Sequence, residues 1–198
     1  MNPWIPHPIR LDGDTVTLRP LEETHLNTLE AIAQDGRIWE FYPTRLDTRE
    51  KFRTAFRTAF TERSRGTQYP FVIFHRREKR LIGSTRFLDL RPEHRKLEIG
   101  WTWLDPAYWG SGVNLECKLL LLTECFEKLG TIRVQLKTDE TNIRSRRAIE
   151  KIGGKFEGIL RNDMIRDNGT FRNSAYFSIL TEEWDQAKKL LLHRRRDY

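Results

Sequence analysis

Thr15–Arg19 alternates apolar and polar side chains as a short strand does, and by Leu26, Leu29 and Ala33 the apolar spacing has become helical, so Leu21–Ala33 is predicted as a helix. Arg37–Leu46 keeps neither period. It gathers Trp39, Phe41 and Tyr42 around Pro43 and reads as an irregular connection. Phe52, Ala55, Phe56, Ala59 and Phe60 then form one buried helical stripe, with Asp47 as the expected cap, Glu50 at the capping-box position and Gly66 as terminator. Three strands follow at Tyr69–His75, Arg80–Leu90 and Lys96–Leu104, the first two joined through Arg76–Lys79 as an antiparallel hairpin.

Beyond Trp109-Gly110-Ser111-Gly112-Val113-Asn114, the residues Leu115, Leu119, Leu122, Phe126 and Leu129 share one helical stripe that ends at Gly130. Ile132–Lys137 is a strand, Asn142–Ile152 a helix closed by Gly153-Gly154, and Lys155–Arg166 and Phe171–Leu180 are strands around the hairpin signal Asn168-Gly169. Thr181 is expected to cap a last helix through Leu192. This order predicts an α/β (α+β) fold whose mixed, largely antiparallel sheet of about seven strands is flanked by helices. Its parallel step lies across Lys96–Lys137, made by a right-handed crossover. No repeat or linker divides the chain, so one domain over residues 1–198 is expected.

Composition changes this picture little: 38% hydrophobic and 32% charged residues describe a water-soluble globular chain. No apolar run approaches the ~18 residues of a membrane span. Met1-Asn2-Pro3-Trp4-Ile5-Pro6 lacks the basic-then-apolar pattern of a signal peptide, so a cytoplasmic location is expected. Cys117 and Cys125 are separated by about 12 Å of helix rise, too far for a disulfide, and read as reduced, packed thiols. The five histidines are scattered, and no metal site is expected.

The net charge of +7 favours anionic partners: nucleic acid, a phosphate-bearing cofactor or an acidic protein. It is densest at Arg144, Arg146 and Arg147 and at His193–Arg196. The terminal run suits a solvated helix end, and no nucleic-acid module accompanies it, which disfavours a nucleic-acid adaptor.

The glycine turn is the first chemical signal. A strand runs through it into a helix, which leaves backbone N–H groups bare at the positive helix end, a receptor for phosphate oxygens. By itself the turn is ambiguous, because Gly110 and Gly112 could serve backbone conformation alone. A dinucleotide fingerprint is contradicted by Leu115 in the place of the third glycine.

Tyr108–Gly112, spelled Tyr-Trp-Gly-Ser-Gly, and Asn142-Ile143-Arg144-Ser145, continuing to Gly153, resemble the two cofactor motifs of the GNAT acetyltransferases, in particular the RimJ/RimL-like group. Leu18–Leu21, Glu157–Arg161 and Ser178–Trp184 extend the likeness along nearly the whole chain. The departures are Trp109 at the first position of the phosphate turn and Asn114 at its last, usually small, position.

The resemblance implies a splayed strand pair forming an acetyl-CoA cleft. Thr102, Trp103 and Leu104 would pair with the pantetheine arm, Trp109, Gly110, Ser111, Gly112, Val113 and Asn114 would hold the pyrophosphate, and Gln135–Thr138 would form the opposite wall. Asn142 would contact the cofactor. It also implies Glu98, eleven residues before Trp109, as general base, with an ion pair or a purely supporting carboxylate as the alternative. The tyrosine that many members use on the leaving thiolate is replaced by Ile149, so Ser145 inherits that role, with helix capping as the alternative. Arg144, Arg146, Arg147 and Lys118 suit either CoA phosphates or a solvated helix face.

Trp39, Glu40, Phe41 and Tyr42 are the expected acceptor wall, with a hydrophobic plug as the alternative. The expected activity is transfer of an acetyl group to a primary amine, a protein N-terminal α-amine or a small molecule such as an antibiotic. A lysine-like amine costs about 4.6 kcal/mol to deprotonate at neutral pH and an α-amine only about 1, so a base matters chiefly for the first. A non-catalytic acetyl-CoA sensor is the rival, supported by Ile149 and Asn114. No membrane partner is expected, and a homodimer is compatible with the chain.

Overall fold

In the computed structural model, which describes residues 4–195, eight strands form one sheet. Met1–Pro3 and Arg196, which belong to the expectations above for the two termini, lie outside the described residues. The strands are β1 (Leu11–Asp12), β2 (Val16–Pro20), β3 (Tyr69–His75), β4 (Arg80–Arg91), β5 (Lys96–Leu104), β6 (Arg133–Asp139), β7 (Lys155–Ile165) and β8 (Phe171–Leu180), in the spatial order β1-β2-β3-β4-β5-β6-β8-β7. Only β5 and β6 run parallel. The additional strand is β1, two residues long and too short to show an alternation.

The helices are α1 (Leu26–Ala33), α2 (Arg49–Ser64), α3 (Val113–Thr123), α4 (Ile143–Lys151) and α5 (Trp184–Arg194). Strand alternation divides the core between the two sheet faces. Phe71 and Ile73 pack with Cys117 and Leu121 of α3 and Leu191 of α5, while Val72, Leu81 and Trp103 pack with Leu29, Phe52 and Phe56 of α1 and α2. Among the described residues no helix is long and apolar enough to cross a membrane.

Several helix ends differ from expectation. Thr48, not Asp47, caps α2 by accepting the Lys51 N–H at 3.4 Å, because Asp47 is drawn into an ion pair with Arg45 at 2.8 Å. The first helix starts at Leu26, since Glu23–His25 form a tighter 3-10 turn. Thr181 does not cap α5: a 3-10 turn precedes it, and Glu183 accepts the Leu180 N–H at 2.9 Å. Both cysteines are buried free thiols, and burial pushes Cys117 up to about 12.

One buried carboxylate fixes α3 to the sheet. Glu116, in its first turn, accepts the N–H groups of Asp14, Thr15 and Val16 at 2.7, 2.9 and 3.0 Å. Gly13 leaves room for it: a Cβ there would lie 2.7 Å from Glu116 Oε1 and would push the carboxylate off its three donors. Glu116→Gln turns one acceptor into a donor that faces an N–H group. The expected loss is about 2 kcal/mol of unfolding free energy, read by urea denaturation; an unchanged midpoint would deny this anchor its role.

Candidate active site

β5 and β6 pair only at Lys96–Arg133, Leu97–Val134 and Glu98–Gln135, and then part. A bulge in β5 accompanies the parting. Its register against β4 jumps from Arg86–Gly100 to Ser84–Trp103, and Trp101 sits at φ 49°, a left-handed conformation uncommon for a bulky residue. Side chains hold the bulge: Tyr42 Oη donates to Thr102 O at 2.7 Å, and the Thr102 and Thr85 hydroxyls lie 2.7 Å apart. The resulting cavity has a volume of about 970 Å³, at the upper end of the range usual for ligand sites.

At one end of the cavity the chain turns into α3. Gly110 and Gly112 both take φ 76°, and Gly112 is the N-cap of α3 with no side chain capping the helix. Val113, Asn114 and Leu115 are therefore first-turn residues whose N–H groups have no intrahelical acceptor. Trp109 donates Nε1–H to Leu104 O at 3.3 Å, and the Arg144 guanidinium stacks 4.3 Å from the Trp109 ring centre. Arg144, Arg147 and Lys151 of α4 all line the cavity.

Asn142 caps α4, its Oδ1 accepting the Ser145 N–H at 3.0 Å. Capping thus falls to Asn142, and Ser145 lines the cavity at the third helical position. Glu98 lies where the two strands begin to part, only 5% exposed. It accepts from Gln135 Nε2 at 2.9 Å and faces Lys137 Nζ at 3.4 Å. Burial works against the Lys137 charge, but Glu98, Tyr176 and Asp163 outweigh it and raise the ammonium above its ordinary value.

The cavity is lined by Thr102, Trp103 and Leu104 on β5, by Trp109, Gly110, Ser111, Gly112 and Asn114 at the turn, and by Asn142, the cap of α4, and Ser145 in its first turn. Phe41, Tyr42 and Glu98 also line it. Val113 does not; its side chain is in the core. Trp39 is 1% exposed, donates Nε1–H to Ala33 O at 2.7 Å and packs in the core as a plug. Glu40 is exposed and outside the lining. Among the described residues no group of His, Cys, Asp and Glu could hold a metal ion.

Of the expected opposite wall, Leu136, Lys137 and Thr138 line the cavity and Gln135 does not. Sequence reasoning missed Trp101 and Arg172, both of which line it. It also left Lys118 as a phosphate contact or a solvated cation. Lys118 is buried rather than solvated, donates to Thr102 Oγ1 at 2.7 Å and lines the cavity. Spacing alone shows none of these, because each depends on how far β5 bends from β6. Burial also raises the Tyr42 phenol, against the opposing influence of Arg172, Arg86 and Arg144.

A model of the acetyltransferase (GNAT) domain matches residues 15–155. The chain belongs to this family, and it is an N-acetyltransferase. The "Probable N-acetyltransferase YjcK" of Bacillus subtilis is 30% identical over 183 residues, covering 89% of this chain and 99% of that protein. A GCN5-related N-acetyltransferase from Brucella melitensis superposes with a TM-score of 0.86 at 25% identity, covering 95% of this chain and 86% of the other. RimJ of Mycobacterium smegmatis, solved in complex with CoA-disulfide, superposes with a TM-score of 0.79 over 98% of this chain and 97% of its own; at 22% identity this likeness is one of fold.

Burial lowers the Lys118 ammonium to about 8, against a small opposing influence of Cys117. Below that pH both folded and unfolded chains carry the proton, and the buried charge destabilises the fold. Between about 8 and 10.5 the unfolded chain keeps a proton that the folded chain lacks, so stability rises with pH. Lys118→Met is therefore expected to be more stable than the parent near neutral pH, by at most about 3 kcal/mol less the lost Thr102 bond. Urea denaturation at about pH 7 and about pH 10 should show the advantage shrinking as the pH rises.

Proposed function

We propose that this protein, a RimJ/RimL-like member of its family acting in the cytoplasm, moves an acetyl group from acetyl-CoA to a primary amine by direct attack. The observation that carries this reading is the uncapped N-terminus of α3, entered through two left-handed glycines, opening into the cleft where β5 and β6 part. Three bare N–H groups at a positive helix end suit a pyrophosphate; Arg144, stacked on Trp109 of the turn, brings a further cation there, and Arg147 lines the same cavity. The CoA-disulfide bound by the fold-related M. smegmatis RimJ supports the assignment. When bound, acetyl-CoA supplies an activated thioester carbonyl as the electrophile.

Each remaining task falls to a residue already located. The β5 segment Thr102–Leu104 offers a strand edge to the pantetheine arm, and Asn142 orients α4 beside it. Glu98, held by Gln135 and Lys137, takes up the proton that the amine sheds, directly or through water. Ser145, released from capping by Asn142, donates a hydrogen bond from its hydroxyl to the leaving sulfur. Ile149 has nothing to donate in its place.

Acetyl-CoA at about a hundredfold its Kd should stabilise the native protein by about 2.7 kcal/mol. Gly112→Asp, which sets a carboxylate against the phosphate site at a left-handed position, should abolish that gain in a thermal-shift titration. Equal stabilisation of parent and variant would refute the phosphate-turn assignment. Ser145→Ala should lower kcat about 100-fold or more with little change in KM for acetyl-CoA, measured by thiol release. An unaltered kcat would remove Ser145 from the reaction.

A further inference from the structure

The cavity wall across from β5 carries a group that narrows the identity of the acceptor. Arg172, on β8 opposite Met164 of β7, lines the cavity and is only 6% exposed. Its nearest carboxylate oxygen among the described residues, Asp139 Oδ2, is 3.9 Å from Nε, beyond hydrogen-bond reach, and Nε has no partner. Asp139 is already engaged. Its Oδ2 receives Arg166 Nη2 at 2.6 Å, and its Oδ1 receives the Thr141 N–H at 2.9 Å and hydroxyl at 2.7 Å. Asp163 accepts from Tyr176 Oη at 3.1 Å through Oδ1, while its Oδ2 has no donor at all.

Leaving guanidinium donors unpaired in a buried site is costly, so such a group, once turned to a cavity, is suited to an anion that enters with the substrate. Its surroundings agree. The charges of Arg172, Arg86 and Arg144 all bear on the Tyr42 phenol, and Arg86 likewise leaves Nε and Nη2 without partners. Lys137 differs, being paired with Glu98. Phe41, Tyr42 and Trp101 supply aromatic surface on the same side of the cavity.

We propose that the acceptor is a primary amine that carries a carboxylate on the same molecule, with Arg172 as the receptor for that carboxylate and the aromatic wall covering the atoms between. The proposal rests on the acetyltransferase reading and adds the chemical class of the acceptor. In the transfer the amine nitrogen forms the new N–C bond as the C–S bond breaks, and the proton shed by the amine ends on the released thiol. The carboxylate takes no part in these changes; it holds the amine in place.

The test compares matched acceptors that differ only in that group, measured by thiol release from acetyl-CoA. One arm uses free amino acids against their amides, the other peptides with Asp or Glu at the second position against Asn or Gln. The expected result is a preference of at least about tenfold in kcat/KM for the carboxylate member in one arm, and that arm tells a small molecule from a peptide end. Arg172→Ala should collapse the ratio toward one, and Arg172→Lys should restore part of it because the charge returns. A second measurement needs no turnover: with CoA saturating, the carboxylate members should raise Tm of the parent more than their amides, and this difference should vanish in Arg172→Gln. Equal kcat/KM for both members in both arms, or no difference in Tm, overturns the proposal. Absence of any acetyl-CoA stabilisation and of thiol release with every amine would instead overturn the acetyltransferase reading beneath it.

Discussion

The cleft depends on the failure of two neighbouring strands to stay together. β5 and β6 hold a parallel ladder for three residue pairs and then separate, with the β5 bulge at Trp101 and Thr102 accompanying the change. A bulge bends its strand and increases the local twist, so the edges that would have bonded each other face a cavity instead. Trp101 is held in a left-handed conformation by its surroundings rather than by its own preference. Tyr42, Thr85 and Lys118 all bond Thr102, which gives the bulge support from the connection after α1, from β4 and from α3.

The surroundings of the cleft have an electrostatic character. Lys118, Arg86 and Arg172 are each buried without a hydrogen-bonded carboxylate, whereas surface cations such as Lys188 and Arg37 have close acidic partners. Buried cations without a bonded carboxylate oppose folding. Lys118 and Arg172 line the cavity and Arg86 lies over the ring of Trp101 in its wall, and such charges gathered at a cleft mark a functional site. Glu116 serves the opposite purpose. Its carboxylate is satisfied by three backbone donors and holds the first turn of α3 against the β1–β2 turn, so the bare N–H groups next to it keep their place.

Much of the fold was legible because its cues are local. The stripe Phe52–Phe60, the Asn168-Gly169 hairpin and Asn142 opening α4 each rest on residues that follow one another at four positions or fewer, and each element formed. Caps were less reliable. Asp47 and Thr48 are adjacent and both able to cap, and an ion pair with Arg45 decided between them. The candidate site was legible where a motif dictates backbone, as at Gly110 and Gly112, and poorly legible where side chains from distant strands meet. Trp39 and Tyr42 lie in one connection, yet one is core and the other lines the cavity.

The residues alone determined the helices and long strands, the left-handed turn into α3 and the pair of motifs that mark the family, since each follows from periodicity or from backbone allowed to few residue types. The tertiary structure decided that β8 lies between β6 and β7, that Lys118 turns inward and that Arg172 faces the cavity. Those outcomes depend on contacts between residues far apart in the chain, such as Lys118 with Thr102 and Arg172 with Asp139. No local pattern encodes the distance at which such groups meet once a sheet has twisted.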